Sequence, residues 1–254
     1  QPCFSEYAPA LQQVGCQIDT VALLPDNGFV FSVDQILEAV QEETDLVLLA
    51  NPGNPTGVGI DPQKVVRLAE QLGDIRLLVD EAFIDFCSER SIISLVNQRP
   101  NLLVLRSMTK FYAIPGLRAG YLAGSSADIA ELTAAKEPWT MSNLAIAAAK
   151  ACLSSKEYQQ QTLRLIPLLR VELQQGLEAL GVKVFQSEAN YLLCRLPEFS
   201  CDGTELTAGL RQKGLLVRSC ADFFPLDARY VRVAVLDREA NLRLLSEIEG
   251  SFSR

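Results

Sequence analysis

The chain contains no histidine among its 254 residues. Because imidazole is the usual acid–base group near neutral pH, its absence excludes Ser-His-Asp and Cys-His catalysis and also His-ligated zinc. Positive charge is scarce as well: 23 Lys and Arg stand against 31 Asp and Glu, a net charge of −8, which argues against a nucleic-acid partner. No apolar run approaches the roughly 20 residues of a membrane helix. Catalysis must therefore rely on other side chains or on a cofactor, and we expect no membrane partner.

Seven cysteines are present, an odd number, and no two form a C-x-x-C pair. Several have apolar neighbours, as in Leu193-Cys194. This usage is typical of reduced core thiols in a cytoplasmic protein rather than of disulfides or a metal centre. We therefore predict a cytoplasmic location and no metal site.

The first half of the chain alternates short apolar runs with longer amphipathic stretches. The apolar runs predict strands at 46–50, 75–79, 102–105 and 119–123. Asp61 and Pro62 are typical of a helix start and predict a helix over 61–72, with a second helix over 92–97. Strand-helix-strand alternation at this spacing favours an α/β fold with a mostly parallel sheet.

The pattern changes after about residue 125. It predicts helices at 128–136, 144–153, 157–180, 203–213 and 238–248, with a kink at Pro167, and short strands at 182–185, 191–196, 215–218 and 230–235. This is an α+β arrangement. We predict a large domain over residues 1–150 and a small C-terminal domain over 151–254, with a soft boundary because the long helix could bridge them.

Three segments carry residues suited to chemistry. The loop Asn51-Pro52-Gly53-Asn54-Pro55-Thr56-Gly57 follows a buried strand, at the end of the sheet where open α/β folds bind ligands. It could equally be a turn that enters the next helix. Asp80-Glu81 ends another apolar strand, where a carboxylate is costly without a cationic partner. A loop charge or helix start is the simpler alternative for that pair.

The third segment runs from 105 to 121 and contains Lys110 among apolar and aromatic residues. Partial burial would lower the pKa of its amine and make it a better nucleophile. Ser107 and Arg118 flank it, and a hydroxyl with a guanidinium suits a phosphate group. Taken alone, Lys110 could be a surface lysine lying along apolar residues. Together the three segments describe a site for pyridoxal 5'-phosphate (PLP).

The motifs N-P-G-N-P-T-G, V-D-E-A-F and S-M-T-K…G-L-R-A-G-Y resemble those of the fold-type I PLP-dependent aminotransferase superfamily. The most similar branch pairs histidinol-phosphate aminotransferase with the threonine-phosphate decarboxylases of cobalamin biosynthesis. The strings around Asp85, Tyr112 and Cys220 resemble the decarboxylases most. The resemblance extends over essentially the whole chain and implies the PLP-transferase fold.

The resemblance also implies roles toward the cofactor. Lys110 would form an imine with PLP, and Asp80 would keep the pyridine nitrogen protonated so that the ring accepts electrons. Asn54 would hydrogen-bond the ring hydroxyl oxygen. The residues implied for the cofactor phosphate are Ser107 and Arg118, with Thr109 a weaker candidate.

Toward the substrate, the resemblance implies that Arg232 binds the carboxylate. An exposed strand arginine is the alternative for that position. Asn190 matches a further residue near the substrate, and Arg218 is a lesser candidate for the substrate phosphate. A phosphorylated amino acid is therefore the implied substrate, in a homodimer whose subunits share active sites.

The chain departs from the family pattern in three places. Phe83 stands where many aminotransferases have a tyrosine that bonds the ring oxygen, and Ser142 stands where Asn is usual. Family members also carry a further segment before the part that matches Pro2 to Tyr7, with a glycine-rich phosphate loop and a tyrosine that reaches the neighbouring subunit. We therefore expect this chain to be an N-terminally truncated fragment with an incomplete large domain.

The resemblance implies a PLP-dependent lyase that decarboxylates O-phospho-L-threonine to (R)-1-amino-2-propanol phosphate. Two alternatives stay open. One is histidinol-phosphate aminotransferase or a related class I/II aminotransferase, since the outcome depends on which Cα bond stands perpendicular to the ring. The other is a catalytically incomplete fragment that no longer binds PLP.

Overall fold

The computed structural model describes residues 1–252. Its helices are α1 (Tyr7–Gln13), α2 (Val33–Ala39), α3 (Pro62–Gln71), α4 (Met108–Phe111), α5 (Ser126–Ala135), α6 (Asn143–Ser154), α7 (Lys156–Ala179), α8 (Gly203–Gln212) and α9 (Arg238–Phe252). Its strands are β1 (Leu46–Ala50), β2 (Arg76–Asp80), β3 (Leu102–Ser107), β4 (Gly120–Ala123), β5 (Lys183–Val184), β6 (Tyr191–Arg195), β7 (Arg218–Ser219) and β8 (Tyr230–Ala234). Most predicted elements are therefore present within a few residues of their expected bounds.

The described chain divides into two compact units. We call residues 31–52 and 59–161 the Lys110 unit, and residues 1–30, 53–58 and those from Thr162 onward the Arg232 unit. The division falls inside α7, which continues through Pro167. The domains 1–150 and 151–254 stay a prediction about how the whole protein is organised.

The Lys110 unit is built on a four-stranded sheet in the order β1-β2-β3-β4. The first three strands are parallel and β4 is antiparallel, which confirms the mostly parallel α/β sheet. α3 begins as predicted, since Asp61 accepts a hydrogen bond from the Gln63 backbone amide and Pro62 is the first helical residue. Leu77, Val79 and Val104 are fully buried. The carboxyl ends of β2 and β3 are Asp80 and Ser107.

One helix prediction in this unit is wrong. Residues 92–97 form only a short 3₁₀ turn, Ile93–Leu95. The backbone amide of Ile92 donates to the Glu81 carboxylate at 2.7 Å, and that of Ile93 donates to the Ser91 hydroxyl at 3.3 Å. The backbone bonds that follow run from residue i to i−3, from the Leu95 amide to the Ile92 carbonyl at 2.9 Å and from the Val96 amide to the Ile93 carbonyl at 3.4 Å, so the segment is a 3₁₀ turn.

The Arg232 unit is built on a second sheet in the order β5-β6-β8-β7, with all pairs antiparallel. Its core is apolar and joins helices to sheet through Leu173, Leu177, Leu192, Leu206, Leu210, Val231, Val233, Leu244 and Ile248. The strand predicted at 215–218 is displaced to β7, because the ladder with β8 begins at Arg218 opposite Arg232. Leu216, 78% exposed, lies outside the sheet.

Candidate active site

Lys110 lies in the short helix that follows β3. Ser107 caps this helix, and its hydroxyl oxygen accepts from the Thr109 amide at 3.3 Å. The Ser107 and Thr109 hydroxyls are 2.8 Å apart, and the Lys110 amine donates to the Ser107 Oγ at 3.1 Å. The structure thus brings together three of the predicted cofactor residues in four consecutive positions.

The surroundings of Lys110 shift the pKa of its amine. Partial burial lowers the pKa of the amine below its usual value, nearby Asp80 raises it, and nearby Arg118 lowers it further. The net direction is downward, as predicted. The Lys110 Nζ also lies over the ring of Phe83, 5.7 Å from its centroid. Phe83 is the residue expected to depart from the family's tyrosine, and its ring offers the lysine no hydroxyl.

Asp80 is the last residue of β2, between Ala50 and Leu105 of the neighbouring strands. Its Oδ1 accepts from the Ala82 amide at 2.8 Å, which holds the carboxylate at the start of the following loop. The side chain is half-buried and acts electrostatically on Lys110. The two residues that the sequence marked for the cofactor ring and its imine are therefore electrostatic neighbours.

The residue after Asp80 reveals a group of contacts that the sequence reading missed. Glu81 is fully buried and its Oε2 lies 2.9 Å from Arg106 Nε. Arg106 Nη1 also pairs with Asp85 at 2.8 Å, and Arg106 Nη2 donates to the Ser91 hydroxyl at 3.1 Å. We call Glu81, Asp85, Ser91 and Arg106 the Arg106 cluster. The expectation that a carboxylate at this strand end meets a cation is confirmed for Glu81.

Arg118 has a backbone φ of 52°, in the left-handed region. For a residue other than glycine this costs about 1 kcal/mol or more and points to a constrained position. Its Nη1 donates to the Pro115 carbonyl at 3.0 Å, and the residue is exposed. Its positive charge acts on Lys110, so Arg118 lies in the group with Lys110 and Asp80.

The loop from Gly53 to Val58 belongs to the Arg232 unit. Gly57 has a φ of +73°, and a Cβ there would meet the Ser187 Oγ at 2.1 Å, so only glycine fits. The Glu188 amide donates to the Gly57 carbonyl at 2.8 Å. Asn54 is 8% exposed, and its Oδ1 accepts a hydrogen bond from Arg232 Nη1. The structure thus brings Asn54 and Arg232 together.

Arg232 lies on β8 with its guanidinium over the ring of Tyr191, 5.1 Å from the centroid. Tyr191 was not among the predicted residues. Directly opposite Arg232 in the ladder is Arg218, which is exposed, pairs with Asp222 at 2.6 Å and lies over the Phe223 ring. The two predicted substrate arginines therefore share one face of the sheet.

Asn190 immediately precedes β6. Its carbonyl accepts from the Val235 amide at 2.8 Å, and the neighbouring Ala189 carbonyl accepts from Arg170 at 2.8 Å. Its side-chain Oδ1 is buried and has no hydrogen-bond partner within residues 1–252. Because a buried acceptor without a donor is costly, this atom is suited to a donor from a ligand.

Several other features bear on function. Ser142, which departs from the family pattern, accepts from the Ala145 amide and caps α6. Over the described residues, no cluster of His, Cys, Asp and Glu could hold a metal ion. None of the described helices combines the length and apolar character needed to cross a membrane.

Comparison with known proteins gives consistent matches. The model of the family described as aminotransferase class I and II matches residues 1–248. The threonine-phosphate decarboxylase of Salmonella typhimurium is 38% identical over 254 residues, which cover 98% of this chain and 69% of that protein. The histidinol-phosphate aminotransferase of Chlorobium luteolum is 34% identical over 254 residues, 99% of this chain and 69% of the relative.

Among solved structures, the histidinol-phosphate aminotransferase of Clostridium acetobutylicum superposes with a TM-score of 0.92 at 28% identity. The alignment covers 99% of this chain and 76% of that one. This likeness confirms the predicted PLP-transferase fold.

Proposed function

This chain belongs to the aminotransferase class I and II family, and on that premise we propose that it is part of a PLP-dependent lyase. The reaction we propose is decarboxylation of O-phospho-L-threonine, which releases CO2 and leaves (R)-1-amino-2-propanol phosphate, a step of cobalamin biosynthesis. Enzymes of this family are PLP-dependent. The observation that carries the proposal is the amine of Lys110, with its lowered pKa, beside Ser107 and in the field of Asp80.

The donor set of the Lys110 unit fits PLP. A neutral amine is the form that attacks an aldehyde carbon, so a lowered pKa favours covalent attachment at the Lys110 Nζ. The Ser107 and Thr109 hydroxyls are bonded to each other at 2.8 Å, which leaves one hydroxyl proton to donate to a phosphate oxygen, with Arg118 supplying positive charge. When bound, PLP supplies a ring that accepts the electron pair left behind when a bond at the substrate Cα breaks.

Asp80 has the chemistry to hold the proton on the pyridine nitrogen. A carboxylate that accepts from the Ala82 amide at 2.8 Å is oriented, and a carboxylate is the acceptor that the ring N–H requires. Asn54 also has a defined orientation: because its Oδ1 accepts from Arg232, its amide Nδ2 is the group that can donate. A donor is what the ring hydroxyl oxygen requires.

Arg232 is proposed to bind the substrate carboxylate, for which the planar guanidinium offers a bidentate fork. Arg218 is proposed for the substrate phosphate. Like charges directly opposite each other in a ladder are unfavourable, and Arg218 and Arg232 occupy such a pair. A ligand with two acidic groups would relieve that repulsion. Phosphothreonine has two, a carboxylate and a phosphate.

Decarboxylation rather than transamination depends on which bond at Cα is perpendicular to the ring. We propose that Arg232 and Arg218 set this angle, because they would bind the carboxylate and the phosphate and so orient the substrate. Asn190 can also contribute, since its buried Oδ1 lacks a donor within residues 1–252.

The first test is made on the chain itself. It is mixed with PLP, reduced with borohydride and digested, and the labelled lysine is located by mass spectrometry. We expect stoichiometric label on Lys110, none in Lys110→Arg, and normal label in Lys136→Arg, which replaces an exposed lysine. Label scattered over surface lysines would contradict the assigned attachment site in this chain and favour a catalytically incomplete fragment.

The second test separates the lyase from the transferase. Chain loaded with PLP and not treated with borohydride is given O-phospho-L-threonine with a ¹⁴C carboxylate, and released CO2 is counted. CO2 without a keto acid supports the decarboxylase. Formation of 2-oxoglutarate from glutamate would support the second candidate, a histidinol-phosphate aminotransferase, which the likeness to that protein of Chlorobium luteolum favours.

Two further features form part of the proposal. We propose a homodimer with shared active sites, which light scattering on the purified protein tests. We also propose a cytoplasmic location, since all seven cysteines remain thiols rather than disulfides.

A further inference from the structure

Tyr191 contacts Arg232 and the loop that carries Asn54. It is 3% exposed at the start of β6. Its hydroxyl donates to the Gly53 carbonyl at 2.6 Å, across 138 positions of sequence. Its ring lies under the guanidinium of Arg232, 5.1 Å from the centroid. One side chain thus contacts the loop of Asn54 with its hydroxyl and Arg232 with its ring.

The loop itself depends on the atom that Tyr191 contacts. The Gly53 carbonyl also accepts from the Gly57 amide at 2.6 Å, and the Gly53 amide donates to the Val58 carbonyl at 3.0 Å. The Tyr191 hydroxyl therefore adds to the bonds that close the loop around Asn54. A displaced Gly53 would move Asn54, and Asn54 accepts from Arg232.

We propose that Tyr191 is a positioning residue, which sets the orientation of Arg232 through its ring and that of Asn54 through its hydroxyl. A phenylalanine in its place would keep the ring face and lose the bond to Gly53. A leucine would lose both. The two contacts can therefore be separated by substitution. If Tyr191 only filled space, loss of its hydroxyl alone would have no effect on the loop.

The experiment uses the cofactor-free chain, so it does not depend on catalysis. Hydrogen exchange of the Gly57 amide reports the loop, and phenylglyoxal modification of Arg232, located by mass spectrometry, reports the guanidinium. Loss of one neutral hydrogen bond should accelerate local opening by roughly 2- to 10-fold. Tyr191→Phe is expected to speed Gly57 exchange by that factor and to speed Arg232 modification less than Tyr191→Leu does, because the ring under the guanidinium is kept. Tyr191→Leu is expected to speed both, Arg232 modification by roughly 2-fold or more.

Controls make the result specific. Tyr230→Phe removes a hydroxyl from another buried tyrosine of the same sheet and should change neither rate. Exchange in α8 of the same unit and modification of Arg67, whose side chain is 55% exposed, should stay constant. Unchanged Gly57 exchange in Tyr191→Phe would overturn the proposal. So would equal acceleration in α8, or Arg232 modification no faster in Tyr191→Leu than in Tyr191→Phe.

This inference rests on the proposed function, but experiment can refute either one without the other. If wild-type Lys110 takes no label from PLP, the proposed function fails for this chain, while the exchange rates still judge Tyr191. If Lys110 is labelled, Tyr191→Leu should lower kcat/KM for phosphothreonine, since its ring acts on the arginine proposed to bind and orient the substrate carboxylate. An unchanged kcat/KM would contradict that role.

Discussion

Replacing Arg106 with methionine should destabilise the chain in a way that depends on pH. The substitution keeps an apolar stem and removes the guanidinium that pairs with Glu81 at 2.9 Å and Asp85 at 2.8 Å. Glu81 is fully buried, and removing one partner of a buried pair costs about 3–5 kcal/mol because the other charge is left uncompensated. In a chain of this size that corresponds to a fall in Tm of roughly 6–20 °C.

The pH dependence follows from the pKa values of the two carboxyls. Burial raises the pKa of Glu81 and of Asp85, and Arg106 lowers both. Without Arg106 both pKa values rise further, so the folded variant takes up protons at a higher pH than the wild type does. A protonated carboxyl needs no cation. The free-energy difference between wild type and variant should therefore be largest at neutral pH and above, and shrink as the pH falls through the raised pKa values of the variant's carboxyls toward acid pH.

The assay is thermal unfolding followed by circular dichroism from neutral to acid pH. Arg67→Met is the matched control, since Arg67 and Asp34 form an exposed pair with side-chain exposures of 55% and 67%. Exposed pairs contribute about 0–1 kcal/mol. A loss under about 1 kcal/mol for Arg106→Met at neutral pH, or a loss that grows as the pH falls, would refute the reasoning.

Two further predictions concern the proposed chemistry. In Arg118→Gln, the Lys110 amine loses a neighbouring cation that lowers its pKa. The pH at which borohydride traps half of the Lys110 imine with pyridoxal should therefore rise. Pyridoxal is used because it has no phosphate for Arg118 to bind. A shift to lower pH would contradict the assigned field, and Arg67→Gln should leave the curve in place. Arg232→Gln should lower kcat/KM for phosphothreonine by roughly 30-fold or more, because a charged hydrogen-bonding partner of the carboxylate is lost. Arg238→Gln, which alters an exposed arginine paired with Glu172, should retain wild-type kcat/KM.

The sequence predicted local structure well where one cause dominates. β1 and the start of α3 follow from a continuous apolar run and from Asp61 with Pro62, both of which act within a few residues. The segment 92–97 was predicted wrongly: it forms a 3₁₀ turn, and the Ile92 amide at its start bonds to Glu81, eleven positions away, a contact that the local pattern does not include.

The lowered pKa of Lys110 was also predictable, because its largest cause is partial burial, which the apolar and aromatic residues around it in sequence indicate. The hydrogen-bond partners of Arg232 and Tyr191 were not predictable. Arg232 bonds Asn54 across 178 positions, and Tyr191 bonds Gly53 across 138. Contacts of that separation depend on how the loop 53–58 packs on residues 187–191, and no periodicity in one chain specifies it.

The residues that were missed stand beside the ones that were found. Arg106 precedes Ser107, Glu81 follows Asp80, and Tyr191 follows Asn190. In an extended segment successive side chains point to opposite sides, so a strand end that offers one side chain to a ligand turns its neighbour toward the protein. That neighbour can be polar only if the interior provides a partner, as Arg106 does for Glu81. A polar or aromatic residue adjacent to a proposed site residue at a strand end is therefore a candidate for holding it in position, although its partner is known only once the fold is known.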